Sequence, residues 1–295
     1  MGRWNIRWSI LLVLWCVTGV KLAAMKVESL DRGWFFNRGY ESQAADKVTV
    51  DLPHTWNAAD AMFGNVNYYR GMSTYSRFIV VPSSENFKRV FLRVKAAQTV
   101  ADVYLDNHFV AQHKGGYTSF TVELTHLIRR GEKQKLDIRV SNAQTMEIAP
   151  ICGDFNIWGG LNRGVELLYT DDACIDPTFY GSFGVFFTQY NVSEKYAGLE
   201  MKALLSGTEM ALNDCSIEFS LLDAKHKVVW CKETSVSGKE ALVKMELNNP
   251  HLWDGVNDPY LYTGVVVLKR GGKEIDRREE KYGLRFYSED PAEGF

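Results

Sequence analysis

Short runs of alternating apolar and polar residues, broken by turn signals about every ten positions, recur along most of this chain. No stretch carries the i, i+3, i+4, i+7 apolar spacing of a long amphipathic helix. A chain patterned this way buries its apolar side chains by stacking sheets face to face, which predicts an all-β protein built from sandwiches. Apolar residues make up 46% of the 295 residues and charged residues 24%, a balance that supports packed cores. A chain this long is comfortable as two domains.

The alternation can be followed strand by strand. Lys47-Val48-Thr49-Val50-Asp51-Leu52 reads as a strand that Pro53 stops, because proline cannot donate to a ladder. Tyr75, Arg77, Ile79 and Val81 alternate with their neighbours, and Val90, Leu92 and Val94 form one face of the next strand. Val103 and Leu105 lead into Asp106-Asn107, a two-residue hairpin turn. Gly115-Gly116-Tyr117 marks a bend, and Leu136, Ile138 and Val140 form a further strand. The polar segment 171–177 ends in Pro177 and reads as a domain boundary open to proteases. Beyond it come seven strand-like runs, the last two joined by Gly271-Gly272, in about 110 residues, the size of an immunoglobulin-like sandwich. His54 follows the proline without any Ser or Cys nucleophile pattern, so a structural histidine is expected there.

Residues 1–24 stand apart. Arg3 and Arg7 precede an apolar run over 10–20, and Leu22-Ala23-Ala24 offers small residues for cleavage. That run falls short of the roughly 20 residues needed to span a bilayer, so it reads as a signal peptide. The mature protein is expected to begin near Met25 and to be exported, periplasmic or extracellular, with no membrane attachment afterwards. Cys152, Cys174, Cys215 and Cys231 remain, and they permit three pairings; buried free thiols are the expectation. None has metal-ligand spacing. The net charge of −2, without a basic stripe, excludes nucleic acid as an expected partner.

The richest chemistry lies in Asp154-Phe155-Asn156-Ile157-Trp158-Gly159-Gly160-Leu161-Asn162-Arg163-Gly164-Val165. A carboxylate and an amide beside an aromatic face suit sugar hydroxyls and the C–H face of a sugar ring. The same residues would also make a tight loop with a capping Asp and a core Trp. The segment, with the strand after it, resembles the end of the sugar-binding domain of glycoside hydrolase family 2. That family includes β-galactosidases, β-glucuronidases and β-mannosidases. Leu52-Pro53-His54-Thr55-Trp56-Asn57, Tyr68-Tyr69-Arg70-Gly71 and Gly115-Gly116-Tyr117-Thr118-Ser119-Phe120 add to the resemblance. So do Asn249-Pro250-His251-Leu252-Trp253, Pro259-Tyr260-Leu261-Tyr262 and Tyr282-Gly283-Leu284-Arg285-Phe286 further on.

The resemblance implies a jelly-roll (galactose-binding-like) domain over 25–172 and an immunoglobulin-like β-sandwich over 173–287. Residues 288–295 then look like the lead-in to a (β/α)₈ barrel in cis, absent from this sequence. Such enzymes are retaining glycosidases with two carboxyl groups roughly 5–5.5 Å apart. In the family both are barrel glutamates, so no catalytic residue is carried over; Glu123, Glu147 and Glu166 qualify by residue type only. Glu123 and Glu166 are expected to be solvated strand carboxylates. The resemblance gives Asp154 a role in reaching toward the sugar pocket, with Asn156 and Trp158 as substrate-binding residues by proximity and Arg163 as a structural ion-pair or hydrogen-bond partner. It requires no cofactor, leaves room for a cation near the pocket, and is compatible with an oligomer. The expected function is the non-catalytic N-terminal part of a secreted retaining exo-β-glycosidase that takes a β-glycoside. The alternatives are a stand-alone carbohydrate-binding or adhesive sandwich and a purely structural pair of sandwiches.

Overall fold

The computed structural model describes residues 25–39, 48–60, 62, 69–84, 86–149, 151 and 156–292. The segment read as a signal peptide, Tyr68, Cys152 and Asp154 lie outside those residues. Every strand pairing among the described residues is antiparallel, and the single α-helix, Glu209–Asn213, is five residues long.

The first sandwich stacks two sheets. One has six strands in the spatial order Val48–Val50, Trp34–Arg38, Met72–Val80, Lys133–Ser141, Val100–Leu105, His108–Lys114. The other has four: Lys26–Ser29, Val165–Thr170, Arg89–Val94, Phe120–Glu123. Tyr75, Ile79, Val103, Leu136 and Ile138 from the first sheet meet Val90, Leu92, Val94, Leu167 and Tyr169 from the second in one buried cluster. Each such side chain stabilises the fold by about 1.5–3 kcal/mol when fully buried. Asp106 and Asn107 both adopt positive φ, 48° and 66°, as the tight hairpin turn requires.

The second sandwich draws on a separate cluster, from Ala173 to Leu284. Its long Tyr196–Ser206 strand pairs with Cys174–Ile175, Val185–Tyr190 and Glu240–Asn248. The facing sheet runs Val228–Ser235, Cys215–Leu222, Tyr262–Arg270, Lys273–Tyr282. Gly271 and Gly272, at φ 55° and 75°, turn the last hairpin.

Several expectations are corrected. Within the described part of the strand read over 47–52, Val48–Val50 are paired and Asp51 and Leu52 are not, and the chain does not simply stop at Pro53: His54–Thr55 resume as a short strand against Gly160–Leu161. Cys174 and Cys215 are free and buried, but Cys231 is exposed. Burial pushes the Cys174 thiol up to about 12.

The larger correction concerns 171–177. Ala173, Cys174 and Ile175 are fully buried, because this segment is an edge strand of the second sandwich and not an open linker. The seam between the sandwiches forms on the outer face of the four-stranded sheet. There Phe91, Leu168 and Cys174 make a third cluster, with Met25 packed against it. That second covering explains why Val165–Thr170 is buried at every position instead of alternating. Polar contacts close the seam. Arg89 grips Glu123 through two hydrogen bonds of 2.9 and 2.7 Å and donates to Ser206 Oγ at 3.0 Å. Arg270 reaches Asp171 and Asp172 at 3.2 and 2.5 Å. The native protein should therefore resist limited proteolysis at 172–177 and be cut first near Val256, which is 96% exposed. Mass analysis of early fragments checks this; a first cut within 172–177 would show that the seam opens easily.

Candidate functional site

The loop that carries the sugar-like chemistry is held by buried amides from two other parts of the chain. Asn57, fully buried, donates through Nδ2 to Asn156 Oδ1 and to the Ile157 carbonyl, both at 2.8 Å. Its Oδ1 accepts the Gly159 N–H at 2.9 Å, and its own carbonyl accepts Asn156 Nδ2 at 3.0 Å. Asn142, also fully buried, donates to the Ile157 carbonyl at 2.9 Å and to the Tyr69 carbonyl at 3.0 Å. Leaving one such buried group unmade costs about 1–3 kcal/mol, so these contacts give residues 156–159 a defined path.

The two glycines permit the close approach. A Cβ on Gly159 would lie 2.2 Å from the Trp56 ring. Gly160 has φ 139°, and a Cβ there would fall 2.3 Å from the His54 carbonyl oxygen. Trp56 stacks on Phe36 with centroids 6.1 Å apart, so the loop rests on an aromatic floor continuous with the core. The Trp56 backbone also holds the loop, its main-chain N–H donating to the Gly159 carbonyl at 3.0 Å.

The residues singled out from the sequence fall in different places. Trp158 is 45% exposed, its indole open to solvent at the loop. Asn156 engages Asn57 through both ends of its amide, so it acts first as a brace of the loop. Asp154 lies outside the described residues. Arg163 is exposed and has no ion pair among the described residues, contrary to the structural role expected for it. Thr55 instead ties the far end of the loop, its hydroxyl donating to Asn162 Oδ1 at 3.0 Å. His54 is a structural residue: Nδ1 sits 2.7 Å from the Tyr75 hydroxyl, and burial lowers its pKa.

The three glutamates do not gather. Glu123 is held by Arg89, whose hydrogen bonds keep its carboxyl below the usual range. Glu166 is buried, not solvated, between Arg93 at 3.4 Å and Lys95 at 2.8 Å. Glu147 pairs with Lys114 at the surface, and that hydrogen bond lowers its pKa. Asp171 and Asp172 are adjacent carboxyls whose pKa values are pushed apart. Burial and its neighbour raise Asp171, while Asp171 and Arg270 hold Asp172 down against burial. Arg270 clamps both carboxylates, so this pair is a fastening of the seam. Among the described residues no three His, Cys, Asp or Glu side chains converge as a metal site would require.

Asn57 and Asn142 were missed as loop supports. Asn57 stands within the Leu52–Asn57 motif, so a signal existed; Asn142, after a strand, offered none.

Two family profiles match this architecture. The sugar-binding domain of glycosyl hydrolases family 2 matches residues 27–171, and the glycosyl hydrolases family 2 profile matches residues 184–285. The chain belongs to glycosyl hydrolase family 2. Among family 2 relatives, it is 37% identical over 272 residues to a β-glucuronidase of Bacteroides fragilis, covering 90% of this chain and 39% of that protein. Its fold is similar to that of an FMN-binding β-glucuronidase from Facaelibacterium prausnitzii, with a TM-score of 0.82 and 30% identity, covering 91% of this chain and 41% of the other. It is also similar to Bacteroides uniformis β-glucuronidase 2 covalently bound to cyclophellitol-6-carboxylate aziridine, with a TM-score of 0.80 and 25% identity, covering 90% and 33%. The chain thus spans about two fifths of the length of the curated β-glucuronidase it matches.

Proposed function

We propose that this chain is the non-catalytic N-terminal part of an exported retaining exo-β-glycosidase acting on a β-glucuronide or β-galactoside. In this reading the two sandwiches hold the loop at 154–160 against a barrel supplied in cis, and that loop forms part of the sugar pocket. The observation that carries it is the loop itself, braced by Asn57 and Asn142 yet presenting an exposed Trp158, in a chain that matches family 2 across both sandwiches. A loop fixed from behind and open in front is suited to positioning side chains on a ligand. Asp154 and Trp158 are assigned to the sugar, Asp154 through hydroxyls and Trp158 through its ring face. Asn156 holds the loop that carries them.

Asp154→Ala in the complete enzyme should lower kcat/KM by roughly one to two orders of magnitude, the equivalent of one charged hydrogen bond, while leaving the melting temperature near that of the parent. Both quantities are measured on the same preparation. A destabilised variant with parental kinetics would make Asp154 a loop cap and remove it from the pocket.

Export is part of the same reading, since Arg3, Arg7 and the apolar run over 10–20 form a leader. N-terminal sequencing of periplasmic or secreted material should find a start near Met25. Recovery of the protein in the cytoplasm with Met1 intact would contradict it.

A further inference from the structure

A cleft lies at the seam of the two sandwiches, lined by none of the loop residues 156–160. It encloses about 570 Å³, within the size range of small-ligand sites. Its lining includes His113, Thr118, Asp176, Thr178, Phe179 and Tyr180, which the first sandwich supplies up to Thr118 and the seam segment from Asp176 on.

The aromatic wall is presented in an unusual way. Tyr180 has φ 46° and ψ 34°, a left-handed conformation that a tyrosine rarely adopts, and its side chain is 88% exposed. Strain of this kind persists where the surroundings enforce it, and it clusters at ligand sites. Gly181 supplies the enforcement. At φ 66°, a Cβ on it would lie 2.1 Å from the Ser119 carbonyl oxygen, and the Gly181 carbonyl accepts the Ser119 hydroxyl at 2.8 Å. Phe179 meets Tyr180 edge to face at 4.9 Å and is backed by Phe186 at 5.8 Å. The turn is thus keyed into the first sandwich and anchored on the second, with two aromatic side chains turned outward.

The polar side of the cleft is rich in hydroxyls. Thr118 Oγ1 sits 3.3 Å from His113 Nε2, and His113 stacks on Phe120 with centroids 4.4 Å apart. Asp176 Oδ1 accepts the Thr178 N–H at 2.8 Å and the Thr178 hydroxyl at 2.6 Å. Asp176 Oδ2 takes no hydrogen bond among the described residues. Burial lowers the pKa of His113, so the lining carries one carboxylate and no cation at neutral pH.

We propose that this cleft binds a neutral oligosaccharide. The exposed aromatic pair offers faces for sugar C–H groups, while Asp176, Thr178 and Thr118 offer acceptors and donors for hydroxyls. Asp176, the one carboxylate in the lining, disfavours acidic sugars, which places this ligand in a different class from a glucuronide. The likeness of the chain to β-glucuronidases does not enter this argument, so the cleft and the enzymatic reading stand or fall separately.

The test is titration of the 295-residue chain by NMR and calorimetry with cellotetraose, with xylotetraose and, as the acidic control, with glucuronic acid. Saturable binding of at least one neutral probe and none of glucuronic acid is expected. Tyr180→Ala should weaken that binding about tenfold and Tyr180→Phe should retain it. Thr178→Val, which removes a hydroxyl outside the strained turn, should weaken it too and serves if Tyr180→Ala lowers the melting temperature. No binding of either neutral probe, or equal binding by Tyr180→Ala and Thr178→Val, would overturn the proposal. So would loss of binding in Trp158→Ala alone, which would assign the sugar to the loop.

Discussion

Asp276→Ala is expected to destabilise the second sandwich by about 3–5 kcal/mol, lowering its melting temperature by more than about 10 °C. Asp276 is fully buried and receives the Ile175 N–H at 2.8 Å on one oxygen. Its other oxygen receives the Arg277 N–H at 2.8 Å and Arg278 Nη1 at 2.5 Å. Arg278, also buried, returns to the Ile175 carbonyl at 3.3 Å. The pair therefore pins the Cys174–Ile175 strand, and with it the seam, to the opposite sheet of the sandwich. Burial raises the Asp276 carboxyl pKa against the pull of Arg278 and the two N–H groups. Removing the carboxylate strands the Arg278 guanidinium in the interior, within electrostatic reach of Arg93, whose pKa is lowered by burial and also by the Arg278 charge. Replacing both partners, Asp276→Leu with Arg278→Met, should recover much of the loss, because no charge is then left unpaired. Thermal unfolding of the single and double variants checks both statements. A melting temperature within about 2 °C of the parent for Asp276→Ala would mean that the pair does not hold the seam.

This pair also shows where reading the sequence stops. The Asp106-Asn107 and Gly271-Gly272 hairpins were legible because tight-turn chemistry is local: two residues with positive φ suffice. The alternation of Val103, Leu105, Leu136 and Ile138 was legible because one face of each strand meets the core. Glu166 was not, because its burial depends on a second sandwich covering the outer face of its sheet, and its counterions Arg93 and Lys95 come from a neighbouring strand and the residue just after it, 71 or more residues earlier. The segment at 171–177 misled for the same reason. Three aspartates and a proline read as a boundary open to proteases, and only Arg270 and Asp276, about 100 residues later, turn it into a buried strand.

At the candidate site, Gly159 and Gly160 were recognisable as glycines with a conformational purpose, and Trp158 as an aromatic in a loop. The brace was not. Asn57 and Asn142 reach the loop from 99 and 15 residues away. A side chain that satisfies a backbone carbonyl across such a separation leaves no periodic trace.

The chain without a barrel is expected to hydrolyse nothing. A retaining glycosidase needs an acid and a nucleophile roughly 5–5.5 Å apart, in environments that separate their pKa values. Here Glu123 is kept ionised by Arg89, Glu166 is enclosed by Arg93 and Lys95, and Glu147 is paired with Lys114. The most direct test is to assay the purified 295-residue chain against aryl β-glucuronide, β-galactoside and β-mannoside. The account predicts no release of the aryl group above the enzyme-free blank. Turnover that Glu123→Gln or Glu166→Gln abolishes would contradict it, because these sandwiches would then hold a catalytic pair of their own.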